Sequence, residues 1–132
     1  MAIVMEITHR VVGDVVVLAP DGRIDYLVAA DFERALLPWL APDSGSRVGL
    51  VMDFAGVDYI SSVGLRVMMI ATRSLRGRGG RIAVAALQPA VQEIFSISRF
   101  DRVVEIFPTV HAALSAMSPA SAQAYAASGP AR

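Results

Sequence analysis

The sequence predicts an α/β domain: a mixed, mostly parallel sheet of about five strands carrying about four helices. Three observations predict it. Val48 to Met52 and Ile82 to Leu87 are short, nearly continuous apolar runs, as in strands covered on both faces at the centre of a parallel sheet. An apolar helical stretch from Ser62 to Arg76 lies between them and completes a strand–helix–strand unit. Gly13-Asp14 separates two β-branched runs, the signal of a hairpin.

The elements follow in order. Ile3, Met5 and Ile7 alternate with Val4, Glu6 and Thr8, as in a half-buried strand. Val11-Val12 and Val15 to Leu18 flank the Gly13-Asp14 turn. Val28, Phe32, Leu36 and Leu40 recur at helical spacing, and Pro38 is expected to end or kink that helix because it lacks an N–H. Ala41 to Ser46 is a loop by composition. The next strand ends at Asp53, and a loop leads to Ser61-Ser62 and the second helix, which Gly77, Gly79 and Gly80 close. Gln88-Pro89 opens a third helix, Val103 to Phe107 is a last strand, and Thr109 caps a final helix reaching Met117. Residues 1–117 are therefore expected to form one domain. Residues 118–132, small and polar with Pro and Gly, are expected to be a flexible tail.

Composition narrows the function. With 132 residues, 55% hydrophobic and 18% charged, the chain is long enough for one good core and too apolar to be disordered. No cysteine is present, which removes disulfides, thiolate metal sites and cysteine nucleophiles. Twelve basic and twelve acidic residues cancel, so no global field attracts nucleic acid. Every basic residue is Arg. No apolar run is long enough to insert in a membrane, and the N-terminus lacks a signal-peptide pattern, so the expected location is cytoplasmic. No metal-ligand spacing or phosphate-binding glycine loop is visible, and no cofactor is expected.

Chemistry concentrates at Asp53 to Met69, DFAGVDYISSVGLRVMM. Ser61 and Ser62 stand where a helix begins, and a helix start leaves about four N–H groups unpaired and carries roughly half a positive charge. Such a place suits a capping serine, an anion or a phosphorylated side chain. The plainest reading puts Ser61 at the cap and Ser62 at the first helical position. Asp53 is expected to hold the following loop by hydrogen bonds. Arg73, Arg76, Arg78 and Arg81 are expected to complement the C-terminal end of the helix dipole.

In element order and motif the chain resembles the STAS domain, and in particular the anti-sigma factor antagonists. Asp53, Phe54, Tyr59, Ile60, Ser61, Ser62, Gly64 and Leu65 carry the resemblance. Gly22-Arg23-Ile24-Asp25, Gly79-Gly80-Arg81-Ile82 and Gln88-Pro89-Ala90-Val91 support it. It covers residues 3–117 and implies a STAS-like fold in a binding module that is not an enzyme. The implied partner is an anti-sigma factor serine kinase with a histidine-kinase-like ATPase fold. That kinase switches such an antagonist off by phosphorylation at the start of the second helix, and a serine phosphatase restores it. The best-known antagonists carry the acceptor directly before the glycine, where this chain has Val63. Ser62 is the nearest hydroxyl and is preferred over Ser61. The expected partner surface comprises Asp21, Asp25, Asp58, Ser61, Ser62, Val63, Arg66 and Met69.

Two other readings compete. Val63 also fits a non-phosphorylated interaction module of a larger assembly, a lipid-transport ATPase complex or a stressosome-like scaffold. A hydrolase using Ser62 would be expected to show a Gly-x-Ser-x-Gly turn, and Ser62-Val63-Gly64 supplies only half of it.

Overall fold

The computed structural model describes residues 6–40 and 49–127. Ile3 to Met5, the Ala41 to Ser46 loop, Val48 and the last five residues lie outside them. The strands are β1 (Ile7–Val12), β2 (Val15–Pro20), β3 (Gly22–Ile24), β4 (Gly49–Asp53), β5 (Val57–Ile60), β6 (Arg81–Ala85) and β7 (Glu105–Phe107). The helices are α1 (Ala29–Leu40), α2 (Ser62–Gly77), α3 (Pro89–Ile97), α4 (Val110–Met117) and α5 (Pro119–Ala127).

The main sheet has the order β1-β2-β4-β6-β7. The β1–β2 hairpin is antiparallel, and every other pairing is parallel. Alternate side chains of the central strands serve opposite cores. Val16, Leu18, Leu50, Met52, Ile82 and Val84 pack with α1, α2 and α3. Val15, Val17, Val51, Ala83 and Ala85 pack with α4 and α5. Two covered faces explain why these strands read as unbroken apolar runs. Phe32, Phe54 and Phe95 are fully buried in the first core, each contributing about 1.5–3 kcal/mol of transfer free energy.

The hairpin, the central βαβ unit, the Gln88-Pro89 start of α3 and the Thr109 cap of α4 agree with the sequence reading; Thr109 Oγ1 accepts the Ala112 N–H at 3.0 Å. Several features differ. Pro38 does not end α1, which continues to Leu40; Leu36 and Leu40 on either side are buried and anchor the last turn. Residues 57–60, expected as loop, form β5, which pairs in parallel with β3 as a separate ribbon. Such short strands leave little periodic signal. The last strand is shorter than expected, three residues from Glu105.

The tail differs most. Pro119 to Ala127, read from composition as part of a flexible tail, forms the helix α5. Ser118 Oγ accepts the Ser121 N–H at 3.3 Å, Pro119 fills the first position, and the alanines that follow are strong helix formers. Ser121 and Ala122 are buried against the hairpin, and the Ser121 hydroxyl bonds Asp14 Oδ1 at 3.2 Å. The arginines at and beyond the end of α2 also do more than complement a dipole. Arg76 donates to the Val103 carbonyl at 2.7 Å and Arg78 to the Leu40 carbonyl. Arg81 grips both oxygens of Glu105 at 2.7 Å and reaches the Ala116 carbonyl at 2.8 Å.

Candidate partner-binding site

The start of α2 is built by the β3–β5 ribbon. Ile24 and Ile60 pair across it and are buried, and the Ser61 N–H donates to the Ile24 carbonyl at 2.8 Å. That bond delivers the chain to the helix in an extended conformation, with Ser61 at φ −83°, ψ 170°. Ser61 Oγ then accepts the Gly64 N–H at 3.1 Å and caps the helix. Ser61 is half-buried and occupied. Ser62, at the first helical position, is exposed, and its hydroxyl makes no hydrogen bond among the described residues.

Asp25 closes the other side of the ribbon. Its Oδ1 accepts the N–H groups of Leu27 and Val28 at 3.0 and 3.2 Å, which turns the chain into α1. That turn leaves Tyr26 and Leu27 72% and 58% exposed. Asp53 Oδ1 accepts the Ala55 N–H at 3.1 Å, and Gln88 donates to the Ala55 carbonyl at 2.8 Å, so the loop entering β5 is tied from two sides.

Ser62, Leu65, Arg66 and Met69 of α2 form a groove with Ser98 and Phe100, of about 280 Å³. Its walls are apolar, and Arg66 is the cation lining it. Arg66 is exposed and makes no hydrogen bond or ion pair among the described residues. Val63 and Ile70 are each nearly half exposed on the same helix, whereas Val67 and Met68 are buried in the core. A cleft with apolar walls, a hydroxyl and one cation suits an amphipathic segment of another protein. A catalytic serine needs a base within reach, and the lining of this groove supplies neither a histidine nor a carboxylate.

The sequence matches the family described as STAS domain over residues 3–113. The chain belongs to the STAS domain family. This STAS domain is 30% identical over 101 residues to the anti-sigma-F factor antagonist RsfB of Mycobacterium tuberculosis, covering 76% of this chain and 80% of that protein. It resembles the crystal structure of an anti-sigma factor antagonist from Mycobacterium paratuberculosis with a TM-score of 0.76 at 26% identity, over 86% of this chain and 93% of that one. Its fold is also that of the phosphorylated form of SpoIIAA, a Bacillus cell fate determinant, with a TM-score of 0.63 at 16% identity over 84% and 98% of the two chains.

In this STAS domain Ser62, Arg66 and Met69 share one groove, whereas Ser61 and Val63 flank Ser62 in the chain without lining it. Asp58 is exposed on β5. Asp25 is half-buried, its Oδ1 engaged in the turn into α1. Asp21 is not brought to the groove: it precedes β3, beside Gly56, a ribbon length of roughly 10 Å from the serine end. Sequence reasoning missed Ser98 and Phe100, which reach the groove from more than thirty residues away. Tyr26 and Leu27 are exposed apolar side chains that do not line the groove; neither fits the buried spacing that starts at Val28.

Proposed function

We propose that this STAS domain acts in the cytoplasm as an anti-sigma factor antagonist. It binds an anti-sigma factor serine kinase of histidine-kinase-like ATPase fold through the start of α2, and phosphorylation of Ser62 ends that binding. The supporting observation is the division of labour between the serines: Ser61 is consumed as a cap, while Ser62 presents a free hydroxyl beside the groove. In the transfer a bond forms between Ser62 Oγ and the γ-phosphorus of ATP as ADP leaves, and the hydroxyl proton passes to a base of the kinase. The new group carries −1.5 to −2 charges at neutral pH, which a helix N-terminus tolerates. At the interface the same dianion must be desolvated, and a loss of about 3 kcal/mol there weakens affinity more than a hundredfold. A serine phosphatase returns the protein to its binding form.

Intact mass before and after incubation with ATP and a candidate kinase tests this reading, with fragmentation to place the phosphate. One added phosphate on Ser62, and loss of kinase binding, is the expected result. An unmodified protein that keeps binding other assemblies supports instead the scaffold reading, which Val63 in the usual acceptor position favours.

A further inference from the structure

We propose, resting on the phosphorylation of Ser62 set out above, that Arg66 is the internal partner of the phosphoserine and that their pairing closes the groove. Both residues line that groove, four positions apart on one helix. Residues at this spacing are neighbours on a helix surface, and the favourable order places the anion N-terminal to the cation. Arg66 is available for the role. Arg76, Arg78 and Arg81 are held by carbonyls and by Glu105, whereas Arg66 has no such partner among the described residues.

Among the side chains lining the groove, none competes with Arg66 for the phosphate. Leu65, Met69 and Phe100 are apolar, and the Ser98 hydroxyl donates to the Ile94 carbonyl at 2.7 Å. A guanidinium presents a planar fork that two phosphate oxygens accept together. Before modification, Arg66 is open to a carboxylate of the partner protein. After it, the side chain lies over Ser62, fills the groove and has its charge cancelled. Phosphorylation thus removes a cation from the interface as well as adding an anion to it.

The test uses the full chain with phosphoserine encoded at position 62 during synthesis, and follows its ³¹P resonance from pH 4 to 8. The phosphate is expected to titrate about 0.3 pH unit lower in the parent than in Arg66→Gln. Arg66→Lys, which keeps the charge and loses the fork, restores part of the difference. Arg73→Gln, at an exposed position outside the groove, leaves the midpoint unchanged. Identical midpoints in the parent and Arg66→Gln, or an equal displacement in Arg73→Gln, overturn the pairing alone. A kinase that leaves Ser62 unmodified overturns the functional reading, and with it the pairing's part in regulation.

Discussion

Gly64 lies so close to Ile24 that a Cβ at position 64 would stand 2.9 Å from Ile24 Cγ2 and 2.8 Å from Ile60 Cγ1. The first turn of α2 is thereby pressed onto the β3–β5 ribbon, which fixes where Ser62 emerges. Both isoleucines are buried and cannot swing away. Gly64→Ala is expected to destabilise the fold by about 1–3 kcal/mol, the range for overpacking. It should also weaken partner binding by shifting the helix start. Urea denaturation checks the first effect and titration calorimetry with the partner checks the second.

The two serines should separate cleanly in stability measurements. Ser61→Ala removes the cap on Gly64 N–H and should cost about 1 kcal/mol. Ser62→Ala removes an exposed, unbonded hydroxyl and should stay within about 0.5 kcal/mol of the parent. The same Ser62→Ala protein should accept no phosphate. Equal destabilisation in the two variants would show that the capping roles are shared.

Acid should weaken the fold partly through Glu105. Its bidentate hydrogen bond to Arg81 holds its carboxyl below the usual 4.5, outweighing the opposing effect of partial burial. A carboxyl lowered by folding contributes stability that is present above its unfolded value and is lost as pH falls through its folded value. Both side chains are well exposed, 42% and 38%, so solvent screens the pair and its worth is at most about 1 kcal/mol. Glu105→Gln should therefore lower stability modestly at pH 7 and flatten the fall in unfolding free energy below pH 4.5. Urea melts across this pH range measure both.

The docking of α5 rests on small residues. Ala122 is buried against the hairpin side of the second core, and Ser121 Oγ would sit 2.6 Å from a Cβ at Gly13. Ala122→Asp places an unpaired carboxylate in that contact and should cost about 1–3 kcal/mol. Hydrogen exchange should then show lost protection in 119–127, with the central strands still protected.

Legibility in the sequence followed locality. The hairpin turn, the Ser61 and Thr109 caps, the Pro89 helix start and the doubly covered strands β4 and β6 each declare themselves within a few residues. The β3–β5 ribbon did not, because three and four residues give no usable period and Asp58 masks the buried Val57 and Ile60. In the tail, Pro and Gly suggest mobility, while the alanines favour a helix whose docking depends on partners distant in sequence, among them Gly13 and Asp14, more than a hundred residues earlier. Of the groove, Ser62, Arg66 and Met69 were legible; Leu65 was read only as part of the motif, and Ser98 and Phe100 were not legible, since they lie in the turn after α3, which only the tertiary fold brings beside α2.

The ribbon also separates what must be fixed from what is free to vary. Ile24, Val57 and Ile60 turn inward and are buried, while Arg23, Asp58 and Tyr59 remain outside, with the Arg23 guanidinium 4.3 Å over the Tyr59 ring. A cell holding several domains of this design can keep their conversations apart by rewriting those outer positions, each exchange adding a fit to one listener or a clash with another. The inner row, and the sheet behind it, carries none of that vocabulary.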